Sequence, residues 1–170
     1  MIVLVGKSCS GKDSVAKILC SMGYSRVATC TTRPMRIGET DGVDYYFITQ
    51  SEFMNMIEKG DFAEYRKYAT EKGMWLYGSR LNDYKYTSNK VIILTPEGLE
   101  NIKKKYPYLP IVSIYLEVSN KELKKRMFMR SNGSIEDTKE NKRRYKADKK
   151  DFRHIKKYVD YVVSNELRDA

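Results

Sequence analysis

Gly6-Lys7-Ser8-Cys9-Ser10-Gly11-Lys12 follows an apolar run and opens an amphipathic segment. In GxxxxGK spacing the glycines let the backbone turn back, so that successive amide N–H groups point at one anion. The start of the next helix adds partial positive charge there, and a lysine at position 12 reaches the outer oxygens of a polyphosphate. The plain alternative is a glycine turn beside a solvated lysine. The motif departs from its usual form one residue later, where Asp13 precedes Ser14 in place of an immediate hydroxyl. A carboxylate next to phosphates repels them unless a cation lies between, which makes Asp13 a candidate Mg²⁺ ligand. The same aspartate also suits the first turn of any helix.

Two more groups carry chemistry. Arg33 and Arg36 lie three residues apart, ahead of Tyr45. Guanidinium forks bind a phosphate dianion through paired, charge-assisted hydrogen bonds, and a phenol donates one more. Arg126 and Arg130 are one helical turn apart and share a face, with Arg143 and Arg144 further on. Without other context, the first group reads as a charged loop and the second as a solvated helix.

The elements that must position these groups alternate in kind. Residues 1–5 form a buried strand, and Val15, Ile18, Leu19 and Met22 mark a helix face that Gly23 ends. A strand is expected over Arg26 to Cys30, a loop over 31–43, a strand over Tyr45 to Ile48, and a helix over Ser51 to Lys59 with Ser51 as its N-cap. Phe62 to Tyr68 and Met74 to Tyr77 read as two short strands. The pattern then resumes with a strand at Val91 to Leu94, a helix opened by Pro96, a strand at Ile111 to Val118 and a helix over 120–130. Ser131-Asn132-Gly133 breaks that helix, Ser134 with Asp137 starts a long one running to about Lys157, and Tyr161 to Val163 forms a last strand. Strands alternating with helices predict a parallel sheet covered on both faces, with ligands at the carboxyl ends of its strands.

The chain of 170 residues has the length of one ordinary domain. No apolar run approaches a bilayer's thickness, and the N-terminus enters a strand at once, so neither a membrane span nor a signal peptide is expected. Three cysteines without a CxxC pair and a single histidine supply neither a complete disulfide framework nor an ordinary zinc site. A cytoplasmic location follows as the simplest expectation. The net charge is +10, and residues 121–157 carry 15 basic against 6 acidic side chains. Nine of the ten surplus charges therefore sit in that stretch, which points to polyanionic partners, nucleotide phosphates or nucleic acid.

Residues 31–48 (TTRPMRIGETDGVDYYFI) resemble the signature of the guanylate kinases, and with the Gly6–Lys12 loop the resemblance extends over nearly the whole chain. It is strongest to the short guanylate-kinase-like proteins of phages and Gram-positive bacteria. The resemblance implies an α/β P-loop NTPase fold in three layers with a parallel core sheet (residues 1–30 and 86–170). A small mixed α/β insert for the nucleoside monophosphate would cover 31–85, and an arginine-rich lid about 127–145. It implies Mg²⁺-dependent transfer of the γ-phosphoryl of ATP to GMP or dGMP. By the same resemblance Gly6 to Ser14 would bind ATP, with Lys12, Arg126, Arg130 and Arg144 (or Arg143) catalytic and Asn165 beside the adenine. Arg33, Arg36, Tyr45 and Tyr77 would hold the acceptor phosphate, steadied by Glu39, while Thr29, Glu64 and Ser79 complete the acceptor site. Glu64, by pattern alone a solvated strand residue, would accept hydrogen bonds from guanine.

Where the family carries aspartates at the end of the third core strand, this chain has Ile93 and Thr95. That departure leaves open a different base preference, and Asp13 is the candidate replacement for the lost metal-facing carboxylate. A non-catalytic binding module and a nucleic-acid binder are the rival readings. No membrane partner is expected, and the assembly is open between monomer and homodimer.

Overall fold

β1 (Ile2–Gly6) is apolar on both faces because both faces are covered. In this computed structural model, which describes residues 1–70, 73–131 and 135–166, β1 lies at the centre of a five-stranded parallel sheet. β7 (Lys90–Ile93) and β8 (Val112–Glu117) flank it, with Ile2 paired to Val91 on one side and to Val112 on the other. β2 (Ser25–Arg26) and β9 (Tyr161–Ser164) form the two edges. Alternation along β1 sends Val3 and Val5 to one side, where they bury with Leu99 and Ile102 of α3 (Pro96–Lys105). Leu4 turns to the other side, against Ala16 of α1 (Lys12–Ser21).

The insert is a second sheet. β3 (Thr29–Thr31) pairs with β4 (Tyr45–Phe47) in parallel and with β6 (Gly73–Arg80) antiparallel, and β6 pairs in turn with β5 (Phe62–Thr70). α2 (Gln50–Glu58) closes it by driving Phe53 against Phe62, with ring centroids 4.4 Å apart. Gly78 is obligatory beneath that pair, since a Cβ there would come within 2.8 Å of the Phe62 ring. The β5–β6 register shifts between Phe62 and Glu64, and the shift sets Glu64 opposite Ser79.

Several expectations are corrected. The single strand expected over Arg26 to Cys30 is two: Arg26 pairs with β7 in the core, while Thr29 already belongs to the insert sheet. The N-cap of α2 is Thr49, not Ser51. The Thr49 hydroxyl accepts from the Glu52 N–H at 3.2 Å, and the Glu52 carboxylate accepts from the Thr49 N–H at 2.7 Å, a reciprocal capping box. The long charged helix, α5 (Ile135–Asp151), stops short of Lys157. Phe152 leaves the helical path to pack on Tyr115, and a short 3₁₀ turn (Ile155–Lys157) then buries Ile155. α4 (Asn120–Ser131) runs as expected, and Pro96 does open α3, capped by the Thr95 hydroxyl. Ser134, expected to cap α5, lies outside the described residues, as does the Asp137 side chain.

Candidate active site

The loop between β1 and α1 is shaped by its glycines. A Cβ on Gly6 would meet Ser10 Oγ at 2.3 Å, and Gly11 adopts φ +88° with Asn165 Nδ2 only 2.5 Å from where its Cβ would be. No side chain caps α1, so the first N–H groups of the helix are left for the loop's concave side. Lys12 folds back over that side, its Nζ donating to the carbonyls of Gly6 (2.7 Å) and Lys7 (2.9 Å). Burial pushes the Lys12 ammonium down, and Asp148 and Asp13 pull it back up.

The Asp148 carboxylate, carried on α5, accepts from the Ser8 N–H at 2.7 Å. An acidic side chain of the protein thus occupies a donor of the anion cradle. Burial pushes Asp148 up, against the bond from Ser8 and the attraction of Lys12. Lys7 turns away, lining a separate groove with Tyr115 and Phe152. Ser10 buries its hydroxyl and offers its carbonyl to Asn165. Asp13 faces the cavity beside Ser14 and is tied to Arg26 at 2.8 Å.

Two cavities meet here, and Ser8, Lys12, Tyr45, Tyr77, Ile93 and Arg144 line both. One runs from the loop to Arg33, Arg36 and Arg130. Arg33 is 4% exposed; its guanidinium forks onto Glu39 at 2.6 and 2.7 Å and lies over the Tyr45 ring, 4.9 Å from the centroid. Glu39 also accepts from the Arg36 N–H at 2.9 Å. Burial raises Glu39, but those bonds outweigh it and hold the carboxyl below its ordinary range. The Arg36 guanidinium has no carboxylate partner among the described residues. Burial first, then Arg144, Arg33 and Arg130, push it down to about 10.

The second cavity runs under the insert sheet to Thr29 and Glu64, with Ile93 and Thr95 on the floor. Glu64 accepts from Ser79 Oγ at 2.6 Å and from the Ser79 N–H at 3.2 Å. Burial raises its carboxyl, partly offset by those bonds and by Arg66. Ser79 itself is fully buried behind Glu64 rather than on the cavity wall.

Three of the arginines expected to serve a lid, Arg126, Arg143 and Arg144, are engaged within the protein. Arg126 bonds Glu122 (2.7 Å) and the Asn165 carbonyl (2.8 Å), and a longer bond reaches the Cys9 carbonyl at 3.4 Å. Arg143 and Arg144 both bond Glu140 at 2.8 Å, and the first of these bonds does most to bring that carboxyl to about 2. Arg144 faces both cavities and Arg143 only the second. Asn165 braces the loop by donating to the Ser10 carbonyl at 2.8 Å. Sequence reasoning missed Asp148 and Asp151, which line the second cavity with Arg66 and Tyr68. The signal was available: Arg144, Asp148 and Asp151 recur at i, i+4 and i+7, one face of α5.

No helix among the described residues is long and apolar enough to cross a membrane. The model of the guanylate kinase family matches residues 1–170. Proteins named guanylate kinase from Fusobacterium nucleatum and Clostridium tetani are 32% and 31% identical; each alignment covers this whole chain, and 90% and 80% of the relative. A crystal structure of the guanylate kinase of Anaplasma phagocytophilum superposes with a TM-score of 0.73 at 24% identity, over 98% of this chain and 77% of that one, which identifies the P-loop NTPase fold. A parallel sheet, a glycine-bounded anion cradle and a facing cluster of arginines thus coincide with a match along the entire sequence, and the chain belongs to the guanylate kinase family.

Proposed function

We propose that this chain transfers the γ-phosphoryl of ATP to GMP or dGMP, giving ADP and the corresponding diphosphate. The observation that carries the reading is Arg36, a guanidinium surrounded by three others and lacking a carboxylate partner among the described residues. Arg33 and Arg144 are paired with Glu39 and Glu140, but a buried guanidinium such as Arg36, without a carboxylate and beside like charges, is unfavourable until an anion meets it. In this reading the insert, residues 31–85, receives the acceptor, while the core, 1–30 and 86–170 with its lid at 127–145, receives the donor.

Lys12 would exchange the carbonyls of Gly6 and Lys7 for donor phosphate oxygens, and Asp148 would give up the Ser8 N–H to them. Arg33 and Arg36, with Tyr45 and Tyr77, would fix the acceptor phosphate. Arg130 and Arg144 face the same cavity, placed to neutralise charge on the transferred group. Phosphoryl transfer asks the protein mainly for such positioning and neutralisation. Glu64 would select guanine, which presents adjacent N–H donors to a carboxylate, whereas adenine would leave the buried acceptor unpaired. Mg²⁺ fits this donor set, because it needs only one or two carboxylates beside phosphate oxygens. Asp13, at the cavity edge, would hold it, and the ion would supply charge neutralisation on the phosphates.

ADP release measured with Mg·ATP and GMP, dGMP, AMP, CMP or UMP tests the reading. The guanine nucleotides should lead by ~100-fold, the upper end of what leaving a buried polar group unpaired costs. AMP outrunning GMP would remove the role of Glu64, and no turnover with any monophosphate would remove the activity.

A further inference from the structure

Tyr84 ends the 3₁₀ turn that follows β6 and is 6% exposed, away from both cavities. Its hydroxyl bonds Ser79 Oγ at 2.8 Å, and Ser79 Oγ bonds Glu64 Oε1 at 2.6 Å. The direction of this chain follows from proton counting. An ionised carboxylate only accepts, so the one hydroxyl hydrogen of Ser79 points to Glu64, and the hydrogen between the two hydroxyls must come from Tyr84. The Ser79 N–H donates to the same Oε1, which fills that oxygen. Oε2 has no hydrogen-bond partner among the described residues, and the missing side chain of Gly98 leaves it room, since a Cβ there would sit 3.0 Å away.

We infer that Tyr84 is a positioning residue for base recognition: acting through Ser79, it holds Glu64 ionised and turned so that Oε2 is presented to the N–H edge of guanine. The inference rests on the proposed role of Glu64. Its need is physical. A buried carboxyl tends to take up a proton, and a protonated Glu64 would set an O–H donor against the N–H donors of the base. The groups that bear on Glu64 are Ser79 from β6, Arg66 on its own strand and Glu97 from α3, and of these only Glu97 favours the proton. Burial keeps the Tyr84 phenol far above its usual range, so it stays a donor at every working pH. A hydroxyl that receives a hydrogen bond donates a stronger one, so the phenol strengthens the Ser79 bond to Glu64.

Tyr84→Phe removes one oxygen and little volume. Steady-state kinetics of the full-length enzyme across pH 5–8 should show KM for GMP raised ~3–10-fold, with kcat and KM for ATP within about twofold. The acid limb of kcat/KM for GMP should move to higher pH, because Glu64 now protonates more readily. An unchanged KM and acid limb in Tyr84→Phe, while Glu64→Gln raises KM for GMP, overturns the relay and leaves the role of Glu64 standing. No effect of Glu64→Gln overturns both. A loss spread equally over GMP, ATP and melting temperature means that Tyr84 only fills the core, and also overturns the relay.

Discussion

Arg36 remains protonated at neutral pH, yet burial and three neighbouring guanidiniums make its charge costly to the empty protein. Because its folded pKa of about 10 lies below the ordinary value, the cost is present at all lower pH and fades only as pH rises past about 10. Arg36→Met should therefore act with opposite signs on two measurements. Its melting temperature should rise by ~2–4 °C, the equivalent of about 1 kcal/mol in a chain this long. Its kcat/KM for GMP should fall at least ~10–100-fold through the lost charge-assisted bonds. A melting scan and initial rates check both; a variant that is less stable and fully active would contradict the account. At this scale the arginines and the cradle were legible, because few residue types bind phosphate, whereas Glu39, which bonds Arg33 and the Arg36 N–H, came only with the family resemblance. The face that Asp148 shares with Arg144 was readable from their spacing, but its contact with Ser8, 140 residues away in sequence, was not, since only the fold brings the two together.

On α5 the face that presents Arg144 to the cavity also inserts Asp148 into the loop, so in the proposed function helix and donor would compete for one amide. Asp148→Asn should bind ATP more tightly, by ~3–10-fold, since the competing charge-assisted bond is weakened. The comparison belongs in Mg²⁺-free buffer, by calorimetry, where metal ligation cannot contribute; equal or weaker binding would show that Asp148 does not obstruct the donor. Thr49→Ala should cost about 1 kcal/mol by undoing the capping box of α2, read as a lower urea midpoint with KM for ATP unchanged. Element types were legible wherever the apolar period was clear, as in β1, α1 and β8. Boundaries slipped where tertiary packing decided them. Phe152, just past the end of α5, is half-buried against Tyr115, and no local pattern announces that partner.

Across the whole molecule the surplus of ten positive charges matters most where arginines face one another over the cleft. A bisubstrate analogue, adenosine and guanosine joined by a chain of phosphates, would span both cavities at once. It should raise the melting temperature further than ATP or GMP alone at equal concentration, because only the linked anion engages both groups without a second loss of freedom. Equal shifts for all three would mean that the cavities are not filled together. Net charge located this demand roughly, through residues 121–157, but which arginines face inward required the fold.

β1 is the middle strand of the core sheet, and its partners, β7 and β8, begin only at residues 90 and 112. The nearby loop is braced later still, by an asparagine 155 residues further on. During synthesis, then, β1 must wait without a neighbouring strand until β7, at residues 90–93, has been translated. Closure of the sheet around it depends on contacts distant in sequence, which form slowly. A ribosome stalled before residue 165 would hold an unfinished cradle.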